Sequence, residues 1–258
     1  MSELTLELTR KKDSFLSFKK AQIIELCCAE PVFFASRELS DTYYTEGVIG
    51  NYALAYALGW AYSPYRLTGK ATTKPTYIED LSPLDRYILP AWSINNHISY
   101  RIERFNALSD AYWFAMSNNR VVINREDLPL KRTGKKPNSY RPSNFPQTGR
   151  LKMIERGNLF QTIVFGGVEL PEYIRVGKFK SKIKITIKKE VSINYLSTGK
   201  YQSKTFLNSA DLPNNINYFS FDVLAIPPVS ILKNLMFEGE AWQIDDFIIP
   251  ANMKFCQS

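Results

Sequence analysis

The stretch Ser181–Leu196, "SKIKITIKKEVSINYL", decides how this chain is read. Ile183, Ile185 and Ile187 recur every second residue, with Lys182, Lys184 and Lys188 in the opposite phase. A period of two is the repeat of a pleated strand, whose successive side chains point to opposite faces. A helix would need apolar residues three and four apart. The stretch therefore predicts a strand with one apolar and one basic face.

Other segments fall into line around it. "QIIELCCAEPVFF" (22–34) reads as an apolar first strand ending near Pro31. "GVIGNYALAYALGWAY" (47–62) reads as a buried helix that starts after Gly50 with Asn51 near its N-terminus; Gly59 and Pro64 mark its end. A loop-rich stretch follows to about Asn96. "HISYRIERF" (97–105) alternates, with Ile98, Tyr100 and Ile102 on one expected face. "RLKMIERGNLFQTIVFGG" (150–167) predicts two short strands turning at Arg156–Asn158. "YFSFDVLAI" (218–226) and "AWQIDDFIIP" (241–250) predict strands, and "SILKNLMF" (230–237) a short helix or turn. One early helix followed by many strands is an α+β pattern with a mostly antiparallel sheet. A ferredoxin-like or RRM-like core with long insertions fits it better than a barrel or sandwich.

The chain of 258 residues, 45% hydrophobic and 14% aromatic, has ample material for a core. Its formal charge of +8 is uneven. Pro129 to Thr205 holds seventeen Lys or Arg and four Glu, a net +13, which leaves −5 for the rest. One basic face follows, and nucleic acid or an anionic membrane are its usual partners. No amphipathic helix with an apolar side accompanies the basic residues, so a membrane partner is not expected. No stretch approaches the ~20 apolar residues that span a bilayer, and the N-terminus lacks the pattern of a signal peptide. Three cysteines, Cys27, Cys28 and Cys256, form no disulfide framework or metal spacing, which suits a reducing, cytoplasmic setting.

Catalytic signatures are scarce. There is one histidine, His97, and no GxSxG, Walker A loop or CxxC. Asp245-Asp246 would point to opposite faces of a strand and so not converge on an ion; no metal and no cofactor are expected. If the chain were a metal-independent ribonuclease, His97 would be the base that takes a proton from a 2′-hydroxyl.

Binding signals are denser. "RVGKFKSKIKI" (175–185) spaces Lys178, Lys180, Lys182 and Lys184 two apart, which in a strand lines them on one face. Such a row repels itself unless an anion relieves it; a phosphate backbone is one partner, and a solvated outer face is the alternative. Aromatic residues beside these cations, Phe179 and Tyr173 above all, suit stacking on bases. A second basic stretch, "PLKRTGKKPNSYRPSNFPQTGRLK" (129–152), carries Lys131, Arg132, Lys135, Lys136, Arg141, Arg150 and Lys152 among four prolines and two glycines. It reads as a loop, either solvated or used to grip something anionic.

"PVFFASREL" (31–39), "YYTEGVIGNYALAYALGW" (43–60) and "YIRVGKFKSK" (173–182), in that order, resemble the small Cas-five-type subunit of the type I-D CRISPR surveillance complex. The resemblance implies a modified RRM-like fold over residues 22–258, with 1–21 an N-terminal extension and a thumb-like insertion at about 129–152. It implies a non-catalytic subunit that caps the 5′ handle of crRNA. Such a subunit lies beside the large and backbone subunits and close to target double-stranded DNA at the PAM. Arg37, Asn51, Tyr52, Lys178 and Lys180 fall in the matching motifs. With Arg175, Phe179 and Lys182 they form the expected RNA-binding set, and the seven cations of 129–152 the expected RNA- or DNA-binding thumb. The rival reading is an endoribonuclease of the same superfamily that processes precursor crRNA with His97.

Overall fold

The structure, a computed structural model, describes residues 18–39, 42–61, 77–81, 86–95, 97–106, 130–132, 140–142 and 148–254. Its first strand, β1 (Lys20–Cys28), is central. On one side it pairs antiparallel with β11 (Leu159–Phe165), and on the other with β13 (Ser181–Gln202). β1 is apolar at six of its nine positions and buried on both faces, so its apolar residues occur in both phases. Alternation along β1 divides its side chains between two cores, and its register with β13 shifts at Ile23/Ile24. Ala21 and Ile23 pack with Phe165, Trp242 and Phe237, whereas Ile24, Leu26 and Cys28 pack with Leu54, Phe160 and Ile183.

Among the described residues eleven strands make this curled, mostly antiparallel sheet. Its main path runs β14 (Leu207–Asn208), β16 (Ile231–Ile244), β13, β1, β11, β6 (Ala91–Ser93) and β4 (Val48–Ile49). β5 (Tyr87–Ile88), β12 (Tyr173–Val176), β15 (Asn217–Leu224) and β17 (Phe247–Pro250) pair at its margins. Four further strands form a second sheet in the order β2 (Arg37–Leu39), β3 (Thr42–Tyr44), β10 (Thr148–Ile154), β7 (Tyr100–Asn106). β8 (Leu130–Arg132) and β9 (Tyr140–Pro142) pair as a separate ribbon.

Helix α1 (Asn51–Ala57) starts and stops where its sequence indicates, with Gly50 at its N-cap and Gly59 at a φ of +73° just beyond. A four-residue helix, α2 (Tyr77–Asp80), packs beside it: Tyr52 and Tyr77 stack at 5.0 Å, and the Tyr56 hydroxyl donates to Asp80. The chain is α+β and dominated by antiparallel sheet.

Several local expectations change. β13 is 22 residues long, and only Ile183 and Ile185 of its isoleucine row are buried, Ile187 being 46% exposed. "SILKNLMF" lies mostly in β16, not in a helix or turn. Its apolar residues are too crowded to show a period of two, because β13, β14, β15 and β17 all pair with this strand. The strands either side of Arg156–Asn158 do not pair with one another. β10 belongs to the small sheet and β11 to the large one, and the Asn158 side chain ties the connection to both Ser99 and Glu155. Asp245 and Asp246 sit in the turn between β16 and β17, with Asp245 at a φ of +55° and 2.6 Å from the Lys189 ammonium. Ile98 and Tyr100 are half-buried as expected, but Ile102 is 63% exposed because the small sheet leaves that face open.

Candidate nucleic-acid interface

The basic motif "RVGKFKSK" does not form a straight row. β12 and β13 are a hairpin whose turn is Gly177–Lys180, so Lys178 and Lys180 stand on the turn while Lys182 and Lys184 stand on β13. Lys180 adopts a φ of +52°, stabilised by its N–H to the Gly177 carbonyl at 3.2 Å and by Arg175 Nη1 on its own carbonyl at 3.0 Å. A turn is the cheaper answer to four lysines at alternate positions, since it spreads charges that a strand would stack. The two strand lysines are engaged: Lys182 Nζ lies 3.9 Å from the Tyr173 ring centroid, and Lys184 pairs with Glu172 at 3.7 Å. Lys178 and Lys180 are exposed and make no ion pair among the described residues.

The turn is anchored from behind. Lys178 N–H donates to the Phe33 carbonyl at 2.9 Å, and the exposed Phe179 ring stacks on buried Phe33 at 5.2 Å. Gly177 has a φ of +74°, and a Cβ there would meet the Phe33 carbonyl oxygen at 2.5 Å. Only glycine satisfies both the left-handed backbone and this approach.

This hairpin forms one side of a groove of about 920 Å³. Its lining also takes in residues of α1 with Tyr77, and Pro227, Pro228 and Val229. Phe34–Ser36 line it as well, held by the Thr45 hydroxyl, which accepts from Phe34 N–H and donates to its carbonyl. Five of the eight residues expected to bind RNA therefore share one concavity: Asn51, Tyr52, Arg175, Lys178 and Lys180.

Asn51 and Tyr52 do not, however, present their polar ends to it. They are 2% and 5% exposed, and both bond to Asp211 on a short 3-10 helix (Ser209–Asp211). Asn51 Nδ2 donates to Asp211 Oδ2 at 2.8 Å, Tyr52 OH to Oδ1 at 3.3 Å, and Tyr87 OH to Oδ2 at 2.9 Å. Asn208 Nδ2 donates in turn to Asn51 Oδ1 at 2.9 Å. Burial pushes the Asp211 carboxyl up to about 6 despite these donors, and burial with the nearby Asp211 raises the Tyr52 hydroxyl well above its ordinary value. Asn51 and Tyr52 thus fix the groove wall; a free carboxamide and phenol, as the motif alone suggested, are not what the fold leaves.

Arg37, Arg150 and Lys152 meet elsewhere, on the small sheet. In register, Arg37 lies opposite Tyr44, Tyr44 opposite Lys152, Lys152 opposite Ile102, and Arg150 opposite Arg104. Directly paired residues share a face, so this face carries Arg37, Arg104, Arg150 and Lys152. Lys152 Nζ stands 3.9 Å from the Tyr100 centroid and 5.6 Å from that of Tyr44. Arg37 is half-exposed and paired with Glu46 at 3.0 Å. Arg104 escaped the sequence reading, although it continues the phase of Ile98, Tyr100 and Ile102. Asp211 escaped too, because nothing local distinguishes a carboxylate whose partners are 124 to 160 residues away.

The stretch 129–152 is partly ordered strand. Lys131 and Arg132 lie on β8, Arg141 on β9 opposite Lys131, and Arg150 and Lys152 on β10; Lys135 and Lys136 lie outside the described residues. Its final residues, from Thr148, are a strand flanked by β7 on one edge and β3 on the other, not a loop. The β7–β10 pairing ends at the Asn106–Thr148 pair.

His97 is exposed on the segment before β7 and does not line the groove. Among the described residues no three His, Cys, Asp or Glu side chains converge as a metal site, and no helix is long and apolar enough to cross a membrane. Cys28 is buried, and that burial pushes its thiol up to about 12; Cys27 is half-buried.

A family model described as type I-D CRISPR-associated protein Cas5/Csc1 matches residues 19–258, and the chain belongs to that family. No curated protein matches it. Membership makes the chain a component of a type I-D CRISPR complex.

Proposed function

We propose, with that membership as premise, that the chain is a non-catalytic RNA-binding subunit that caps the 5′ handle of crRNA on a modified RRM-like body. It adjoins the large and backbone subunits, and its basic arm reaches toward crRNA or the target duplex near the PAM. The supporting observation is the Gly177–Lys180 turn. It places Lys178 and Lys180 in the lining of a groove, with exposed Phe179 between them in sequence, stacked on Phe33. Cations for phosphates beside aromatic and apolar surface for unstacked bases is how single-stranded RNA is held. Arg175 and Lys182 brace the hairpin, while Asn51 and Tyr52 shape the groove behind it. The small-sheet face supplies a second cationic surface leading to the arm.

The test is the salt dependence of crRNA affinity. The double variant Lys178→Ala, Lys180→Asn should flatten the slope of log K against log salt by about 0.7 for each phosphate that is no longer neutralised. Asn is chosen at 180 because it tolerates the left-handed backbone there. An unchanged slope refutes the assignment of the turn.

A further inference from the structure

β15 combines an exposed course with an apolar sequence. From Phe219 to Val223 each residue is exposed, on both faces of the strand. Among the described residues its only strand partner is β16, so its outer edge is unpaired. Yet its sequence is not that of a solvent edge. Phe219, Phe221 and Val223, at alternate positions, are 54%, 45% and 53% exposed. Natural edges are blunted by charge, proline, bulges or shortness; β15 is eight residues long with no lysine or proline, and its only such devices are Asp222 and two register shifts in its pairing with β16. A run of exposed large apolar side chains marks a surface that is covered in use.

The chemistry of the strand selects what covers it. Nucleic acid is the poorer match: the strand itself carries Asp222 and no Lys or Arg, and the cations beside it, Lys200 at 5.5 Å from the Phe219 ring centroid and Lys233 opposite Asp222, stand on other strands. A row of unpaired backbone N–H and C=O groups is satisfied by another extended backbone, and alternate apolar side chains are matched by a partner with the same period of two. The chain is a component of a complex of several polypeptides, so such a backbone is at hand.

We propose that Asn217–Leu224 is a docking edge for an extended segment of another protein subunit of the complex, which adds as a strand to β15 and covers Phe219, Phe221 and Val223. This rests on the chain being such a subunit but not on where the RNA handle lies.

The experiment compares amide hydrogen exchange of the free chain with that of the complex assembled by co-expression with the other protein subunits and crRNA. Exchange across 217–224 should slow by about tenfold or more on assembly. The variant Phe219→Ser, Phe221→Ser, Val223→Thr, altered only at exposed positions, should enter the complex about tenfold less well. Its free form should keep wild-type crRNA affinity and wild-type exchange elsewhere. Unchanged exchange at 217–224, or wild-type incorporation of the variant, overturns the proposal. A dimer of the free chain that the variant dissolves overturns it in favour of self-pairing. Failure of the RNA reading shows separately, as a free chain that does not bind crRNA while 217–224 is still protected in the complex.

Discussion

The Lys178 N–H donates to the Phe33 carbonyl at 2.9 Å, tying the basic turn to a segment 145 residues earlier in the chain. The bond holds two of the three matching sequence motifs together in space. It also explains why Gly177 precedes the lysine, since its φ of +74° and the Phe33 carbonyl leave no room for a side chain.

Gly177→Ala should therefore displace the turn. The clash with backbone oxygen, added to left-handed strain, should cost about 1–3 kcal/mol in denaturant unfolding and weaken crRNA binding. Gly167→Ala, where a Cβ meets nothing within 4 Å, is the control for strain alone. Equal effects at the two positions would show that the Phe33 carbonyl does not matter.

Asp211 predicts a particular pH dependence. Its carboxyl is raised from 3.8 in the unfolded chain to about 6 in the fold, mainly by burial. The unfolded chain therefore loses this proton first as pH rises. The contribution of Asp211 is full below about pH 4 and is lost as pH rises through about 6. Asp211→Asn keeps the size but faces donors with a donor, so it should destabilise by about 1–3 kcal/mol at pH 4.5. The gap between wild type and variant should narrow by pH 7.5. A gap that widens instead would contradict the raised carboxyl.

Lys152 should matter to the small sheet through its place over two rings. Removing its ammonium from over Tyr100 and Tyr44 by Lys152→Ala should cost about 0.5–1 kcal/mol of stability. Lys152→Arg should restore most of that, because a guanidinium stacks on rings as well or better. Equal losses in both variants would mean that the rings are not the partner.

His97→Ala should leave crRNA binding unchanged, since the side chain is exposed and away from the groove. Wild type and variant should both leave repeat-containing RNA uncut. Specific cutting by the wild type that the variant loses would replace the proposed function with the endoribonuclease.

Thiol labelling should separate the adjacent cysteines. Half-buried Cys27 should react with a maleimide in the native protein, whereas buried Cys28, its thiol pushed up to about 12, should react only on unfolding. Equal rates for the two would show that β1 opens readily.

Much of the architecture could be read along the chain. The strand at Ser181, the strand ending before Pro31 and the helix bounded by Gly50 and Gly59 all lie where periodicity and punctuation put them. These features depend on φ/ψ preferences and on which face of one element is apolar, which short windows contain. β16 was not legible for the same reason inverted: its neighbours bury it irregularly, so no local period survived.

The candidate interface was legible as residue types but not as an arrangement. The chain alone determines that its cations cluster between Pro129 and Thr205 and that aromatic residues accompany them. Tertiary structure decides which of them stand free. Long-range pairing seats the turn that carries Lys178 and Lys180 on Phe33 and sends Asn51 and Tyr52 inward to Asp211, while the hairpin itself occupies Lys182 and Lys184 with Tyr173 and Glu172. Phe33 and Asp211, the partners that fix the turn and the groove wall, lie about 145 to 160 residues away from the groups they hold, and no short window contains them.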